Sequence, residues 1–418
     1  MSRSAVFGVS LAALSAAAAA AAEGPEFELS GFFDAALFDA SQDTGGFADP
    51  DQEGFDALAN GKLNLRGSLI LDDGTELGAR VEVRLQSGAR SNTTSGADDA
   101  LVVEKAYFWA ENGLGRLEIG AEDGAAKLAQ ATPPSITKSM RIDNPLMMPV
   151  ADGAGDYYRP AGLMLRTDSY ASDQSAKIVY RSPRLVGLQL IVSYTPEFSA
   201  NLEGFVKTAA TDFDQQSDIF EAGLNYDSNL DEVRVRASLT YLMAANEAER
   251  DASITLASPW RSGDLSEWSA AAGFKVDGFS FGAAYRHSNA RGGFVDHAPV
   301  VLTGGASDSD IWSLGALYEW ESWKIGANYA HGRARVAVED AGGGRIERQT
   351  GEGWQIAAAY AVTPDIQIAA GFQRYGFEAG AALNPLGLAE TRPADLPGSP
   401  YIGDLDADIL FTEFSFGF

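Results

Sequence analysis

The chain has 418 residues, 21% of them charged, with a formal net charge of −27 and no cysteine. So acidic a balance argues against nucleic acid, whose binders carry basic patches, and no nucleic-acid partner is expected. The missing cysteines exclude disulfides, thiol catalysis and thiolate-bound metals. Beyond residues 1–22, no stretch offers the ~18 consecutive apolar residues of a transmembrane helix.

In chain order, residues 1–22 read as a secretory signal peptide. Arg3 supplies the positive start, "AVFGVSLAALSAAAAAAA" the apolar stretch, and small residues run to a cleavage point near Ala22. A retained membrane anchor is the alternative. Residues 23–418 then read as one unit built from strands, opening with "FELSGFFDAALF". The first long loop holds "DPDQEGFDALAN", in which Asp49, Asp51 and Glu53 stand at calcium-loop offsets. Its twelfth position is Asn60, not the bidentate glutamate such a loop uses. Calcium is thus a weak candidate against a solvated acidic loop, and no other cofactor is expected.

From there the pattern has period two. In "KLNLRGSLIL", Leu63, Leu65, Gly67, Leu69 and Leu71 alternate with Lys62, Asn64, Arg66 and Ser68. "DDGT" turns the chain, and "ELGARVEVRLQ" resumes with Leu77, Ala79, Val81, Val83 and Leu85 on one face and Glu76, Arg80, Glu82 and Arg84 on the other. "KAYFWAENGLGRLEIG" makes the next pair. The register of "LVVEKAYFWAEN" stays ambiguous, because alternation puts Glu104 on one face and Lys105 on the other. After a long segment, further hairpins follow, turning at Ser182-Pro183, "DSNL", "VDG", "ES" and "TPD". The count is sixteen strands of about ten residues, with short and long connections alternating, and none of the sixteen prolines falls inside a strand interior.

One face is apolar, with Tyr180, Tyr194, Tyr226, Tyr241, Tyr285, Tyr318, Trp320, Trp323 and Tyr360 near strand ends, where rings sit at a membrane–water interface. The other is polar, as in Arg234, Arg236, Ser238 and Thr240. An apolar outside and a wet inside describe a transmembrane barrel, which must close to satisfy its backbone. At sixteen strands it is wide enough for an aqueous channel. The final "FTEFSFGF" then pairs with "FELSGFF", and Phe414, Phe416 and Phe418 face lipid. Enzymatic motifs are wanting. His287, His297 and His331 have no metal-ligand spacing, and adjacent His287 and Ser288 point to opposite faces.

On "FELSGFFDAALF", "KAYFWAENGLGRLEIG" and "YRSPRLVGLQLIVSYTP", the chain resembles the Gram-negative outer-membrane porins of alphaproteobacteria. The resemblance implies an all-β, 16-stranded antiparallel barrel with short periplasmic turns, long extracellular loops and an inward-folded third loop, here about residues 121–170. It implies a homotrimer passing small hydrophilic solutes by diffusion, in contact with outer-membrane lipid and lipopolysaccharide. The terminal Phe418, with Phe414 and Phe416, resembles the signal read by the barrel assembly machinery. The expected constriction sets loop acids Glu122, Asp123, Asp143, Asp152 and Asp156 against Arg66, Arg80 and Arg84, making a transverse field. Alternatively, Arg80 and Arg84 neutralise Glu76 and Glu82 on their own strand. A phosphate or sugar channel and a surface adhesin on a plugged barrel remain rival functions.

Overall fold

The computed structural model describes residues 24–43, 55–87, 99–144, 150, 165–169, 172, 175–198, 216–246, 264–289, 306–340, 343–378 and 405–418. They form strands β1 (Glu26–Asp43), β2 (Asp56–Ile70), β3 (Glu76–Ser87), β4 (Asp99–Asn112), β5 (Gly115–Ala121), β6 (Ala176–Arg181), β7 (Leu188–Glu197) and β8 (Gln216–Leu230). The second half holds β9 (Val233–Asn246), β10 (Leu265–Val276), β11 (Phe279–Ser288), β12 (Ala306–Trp320), β13 (Trp323–Asp340), β14 (Gly343–Ala361), β15 (Ile366–Glu378) and β16 (Leu405–Gly417). A short helix, α1 (Ala125–Ala129), follows β5. Each strand pairs antiparallel with its sequence neighbours, and β16 pairs with β1 to close the ring. At the seam Gly31 N donates to Phe418 O at 2.9 Å, and Phe418 N returns a bond to Gly31 O at 3.1 Å.

The turn chemistry follows the expected hairpins. Asp277 and Gly278 both take positive φ, 47° and 81°, as a two-residue turn matched to strand twist requires. Three details differ from the periodicity reading. Only two residues separate β13 from β14, where alternation placed a long connection. The turn placed at "DSNL" lies at Asp231-Glu232, after β8 continues to Leu230. Strand length is also far from uniform, from 6 residues in β6 to 19 in β14. Alternation reports which face a residue takes, and says little about how far the ladder extends.

The faces separate cleanly. On β16, Leu410, Phe414 and Phe416 point outward and stay exposed, while Ile409, Phe411, Glu413 and Ser415 point inward and are buried. The inward face is not wet throughout, as alternation had suggested. Phe38, Ile311, Tyr375, Phe377, Ile409 and Phe411 line it on β1, β12, β15 and β16, packed with Ile136, Met140, Ile142 and Leu165 from the segment between β5 and β6. That segment lies inside the ring, so part of the lumen wall is a dry core.

Candidate functional site

The segment entering the lumen begins at Glu122 and returns to the wall at β6. At its base Lys105 of β4 reaches Glu122 at 2.7 Å and Asp123 at 2.6 Å, and Lys127 holds Asp123 from the other side at 2.8 Å. Burial opposes the Asp123 charge, but Lys127 and Lys105 outweigh it and hold the carboxyl well below the usual carboxylate range. The helix α1 then docks on β7 and β8. Ala125 N donates to Ser193 Oγ at 2.9 Å and Ala126 N to Glu221 Oε2 at 2.8 Å.

The chain next runs along the wall at close range. A Cβ on Gly223 of β8 would stand 2.3 Å from Ala129 Cβ, and one on Gly315 of β12 would stand 2.4 Å from Pro134 O. Only glycine admits a backbone that near. Amide side chains of the wall then fix the path. Asn328 Nδ2 donates to Pro134 O at 2.6 Å, Gln367 Nε2 to Ile136 O at 3.0 Å, and Gln355 and Gln373 to Met140 O at 2.6 and 2.8 Å. The final hold is Glu413 of β16, whose carboxylate accepts from the backbone N–H groups of Lys138, Ser139 and Met140 at 2.7, 2.9 and 2.6 Å. Ser139 Oγ donates to Asp34 of β1 beside it.

Among the described residues, the loop touches β4 and β6 at its base and then runs over β7–β9, β11–β16 and β1, and none of its described residues bonds to the charged wall of β2 and β3. Here Arg66, Arg80 and Arg84 take the inward face, as predicted. Arg66 pairs with Glu76 at 2.8 Å, Arg80 with Glu82 at 2.7 Å and with Asn64, and Arg84 with Glu104. Lys62 joins Glu82 at 2.8 Å to Glu104 at 2.6 Å, and Glu118 joins Arg116 and Arg181 at 2.6 and 2.9 Å. Same-strand neutralisation therefore describes Arg80, whereas Arg84 is met from β4 and Glu76 from β2. Trp109 turns inward between Arg66 and Arg116, whose guanidinium carbons lie 4.9 and 4.5 Å from its ring.

Among the predicted loop acids, Glu122 and Asp123 sit at the loop base on the β4–β6 side. Asp143 lies in the loop and forms a two-pronged pair with Arg141 at 2.9 and 2.6 Å. Asp168 takes the same arrangement with Arg166 at 2.8 and 2.6 Å, while Arg286 of β11 donates to its backbone carbonyl at 2.8 Å. Burial opposes the Asp168 charge, and Arg166 overcomes it to hold that carboxyl low. Asp152 and Asp156, and the calcium candidates Asp49, Asp51 and Glu53, lie outside the described residues. The loop anchors Glu413, Asp34, Glu221 and the three glutamines were not singled out from sequence. Their one signal was a polar side chain on an inner face made mostly of apolar, small or neutral residues.

A closed ring of sixteen strands with a loop folded through it invites comparison with known proteins. A family model described as Gram-negative porin matches residues 8–380. The chain is a Gram-negative porin. As a porin, it is a channel protein of the bacterial outer membrane. No curated protein matches the porin by sequence. Among solved structures, OmpF of Salmonella typhi in complex with daunomycin is 12% identical with a TM-score of 0.54, covering 93% of this chain and 97% of its own. OmpT of Vibrio cholerae in its trimer form is 11% identical with a TM-score of 0.53, covering 95% and 100%. An anion-selective porin from Comamonas acidovorans is 12% identical with a TM-score of 0.52, covering 94% and 100%. At such identities the likeness is one of fold.

Proposed function

We propose that this porin is a non-enzymatic, weakly selective channel for passive diffusion of small hydrophilic solutes and ions. The observation that carries the reading is charge compensation along the inner wall. A phosphate-type channel needs a run of cations left available to the solute. Here Arg66, Arg80 and Arg84 each meet a carboxylate, Arg234 and Arg236 share that of Asp227, and Arg286 donates to a backbone carbonyl. A sugar channel wants aromatic faces open to the lumen. Trp109 faces inward but is only 3% exposed beneath its two arginines. The constriction lies between the loop carboxylates and the Arg66–Arg80–Arg84 wall, with Glu122, Asp123, Asp143, Asp152 and Asp156 as its tuning acids.

The porin acts as a homotrimer. Supporting this, the outward Tyr and Trp of the described strands all lie on β6–β14, from Tyr180 to Tyr360. β1–β5 turn Leu29, Leu37, Leu63, Leu65, Leu117 and Ile119 outward, with Phe27, Phe33 and Phe108 but no outward Tyr or Trp among the described residues. A face that meets protein and not the lipid headgroups has no use for interfacial rings. Residues 1–22 direct export, Phe414, Phe416 and Phe418 address the barrel assembly machinery, lipopolysaccharide surrounds the outer half, and Asp49, Asp51 and Glu53 are the place to look for bound calcium.

The test is single-channel recording of the purified protein in a planar bilayer under a salt gradient. Large steps arriving in threes, with weak ion preference and no block by any one solute, are expected. Small steps, strong anion preference or block by phosphate or a sugar would sink the general-diffusion reading in favour of a specific channel. Silence would return the adhesin.

A further inference from the structure

Strand β4 carries one residue too many for β3. Glu82 pairs with Lys105 and Val83 with Val103, so Glu104 has no cross-strand partner and forms a bulge. In an unbroken strand, Glu104 and Lys105 would face opposite ways. The bulge re-aims one of them, and both are turned from lipid and buried, at 7% and 9% exposure. Lys105 then serves the loop base through Glu122 and Asp123. Glu104 goes elsewhere. Its carboxylate stands between Lys62 of β2, at 2.6 Å, and Arg84 of β3.

A second feature sharpens the point. Glu82 already meets both Lys62 and Arg80. Without Glu104, the wall from Lys62 to Arg84 would offer three cations against that single carboxylate. A lipid-facing carboxylate would be costly as well as useless, so the extra residue both removes that cost and delivers a negative charge to a wall that no described loop residue bonds to.

We propose that Glu104 is a specificity-determining residue of the channel: the bulge places its carboxylate on the Lys62–Arg84 wall, and this charge keeps the pore from preferring anions. The inference rests on the channel reading above and deepens it. Its sign follows from electrostatics. Removing one negative charge raises the lumen potential, enriches anions and depletes cations. For a charge about 10 Å from the ion path and partly screened, the cation-to-anion permeability ratio falls by about twofold.

The experiment is the zero-current potential in a planar bilayer under a potassium chloride gradient, for the wild type, Glu104→Gln, Arg84→Met and the double variant. Heat-resistant migration on gels checks that each barrel is folded. Glu104→Gln is expected to move the potential toward anions by the amount above and Arg84→Met toward cations. The double variant is expected to return near the wild type, since the two charges cancel. A merely structural role for Glu104 would alter step size or stability without this pattern of signs. A conducting wild type whose potential is unmoved in Glu104→Gln overturns the inference and leaves the channel standing. A wild type that passes no current overturns both. Should Glu104→Gln yield no barrel, Arg84→Met keeps the bulge sequence intact, and an unmoved potential there is equally fatal.

Discussion

A carboxylate buried in a barrel wall is destabilising unless it is hydrogen-bonded, and Glu413 meets that demand with three backbone N–H groups of the loop. Bonds of this kind to a charged group contribute roughly 1.5–3 kcal/mol each, and here they offset the cost of burying the carboxylate while tying the loop to β16. Nothing near it in sequence announces this, because its partners lie 273–275 residues away. Asp123 is the counterpart at the loop base. The folded carboxyl is held below its usual value. Its stabilisation is therefore complete above the unfolded pKa of about 3.9 and lost only as pH falls through the folded value. The difference in melting temperature between the wild type and Asp123→Asn should stay flat from pH 7 to about pH 4 and close only in stronger acid. A gap that closes already above pH 5 would mean that Lys105 and Lys127 do not hold this group as drawn.

Elements in this barrel are shaped by what they must pass. The loop can lie on the wall because β8 and β12 present Gly223 and Gly315 where any Cβ would strike it. Gly315→Val is expected to displace the Pro133–Pro134 stretch while leaving the outward ladder of β12 intact, at about 1–3 kcal/mol for overpacking. Single-channel conductance should change and become noisier, with unchanged heat-resistant gel mobility. An unaltered open-channel level would show that the loop does not touch this strand. The β4 bulge makes the same point about register. Period-two reading stalled at Glu104 and Lys105 because it assumed a regular ladder, and a bulge is invisible to a rule that counts by twos.

For the whole molecule, the asymmetric aromatic belt is the feature with the longest reach. If β1–β5 meet another protomer while β6–β14 meet lipid, the two arcs should differ chemically. The cysteine-free chain makes this simple to test with single cysteines. Leu65→Cys on β2 should react slowly with a lipid-soluble maleimide in membranes and yield cross-linked oligomers with a short bis-maleimide. Ile356→Cys on β14 should label rapidly and stay monomeric on denaturing gels. Equal labelling at both positions would remove the argument for an oligomer face on this arc. Both side chains are outward and exposed in the single chain, 53% and 54%, so the contrast does not come from burial within it.

Period-two alternation, turn residues and proline placement were enough by themselves to determine sixteen strands, the outward face, the closing seam from Phe414 to Phe418 and the membrane class. Each of these depends on local backbone geometry, which repeats every two residues and so is written along the chain. Which carboxylate meets which cation, which half of the inner wall is dry and how the loop travels were decided only by the tertiary structure. Arg84 finds Glu104 across a strand pair through a bulge, and Met140 finds Gln355, Gln373 and Glu413 across the full width of the ring. Closure brings such residues together through space, and separation in space across a barrel leaves no period in the sequence.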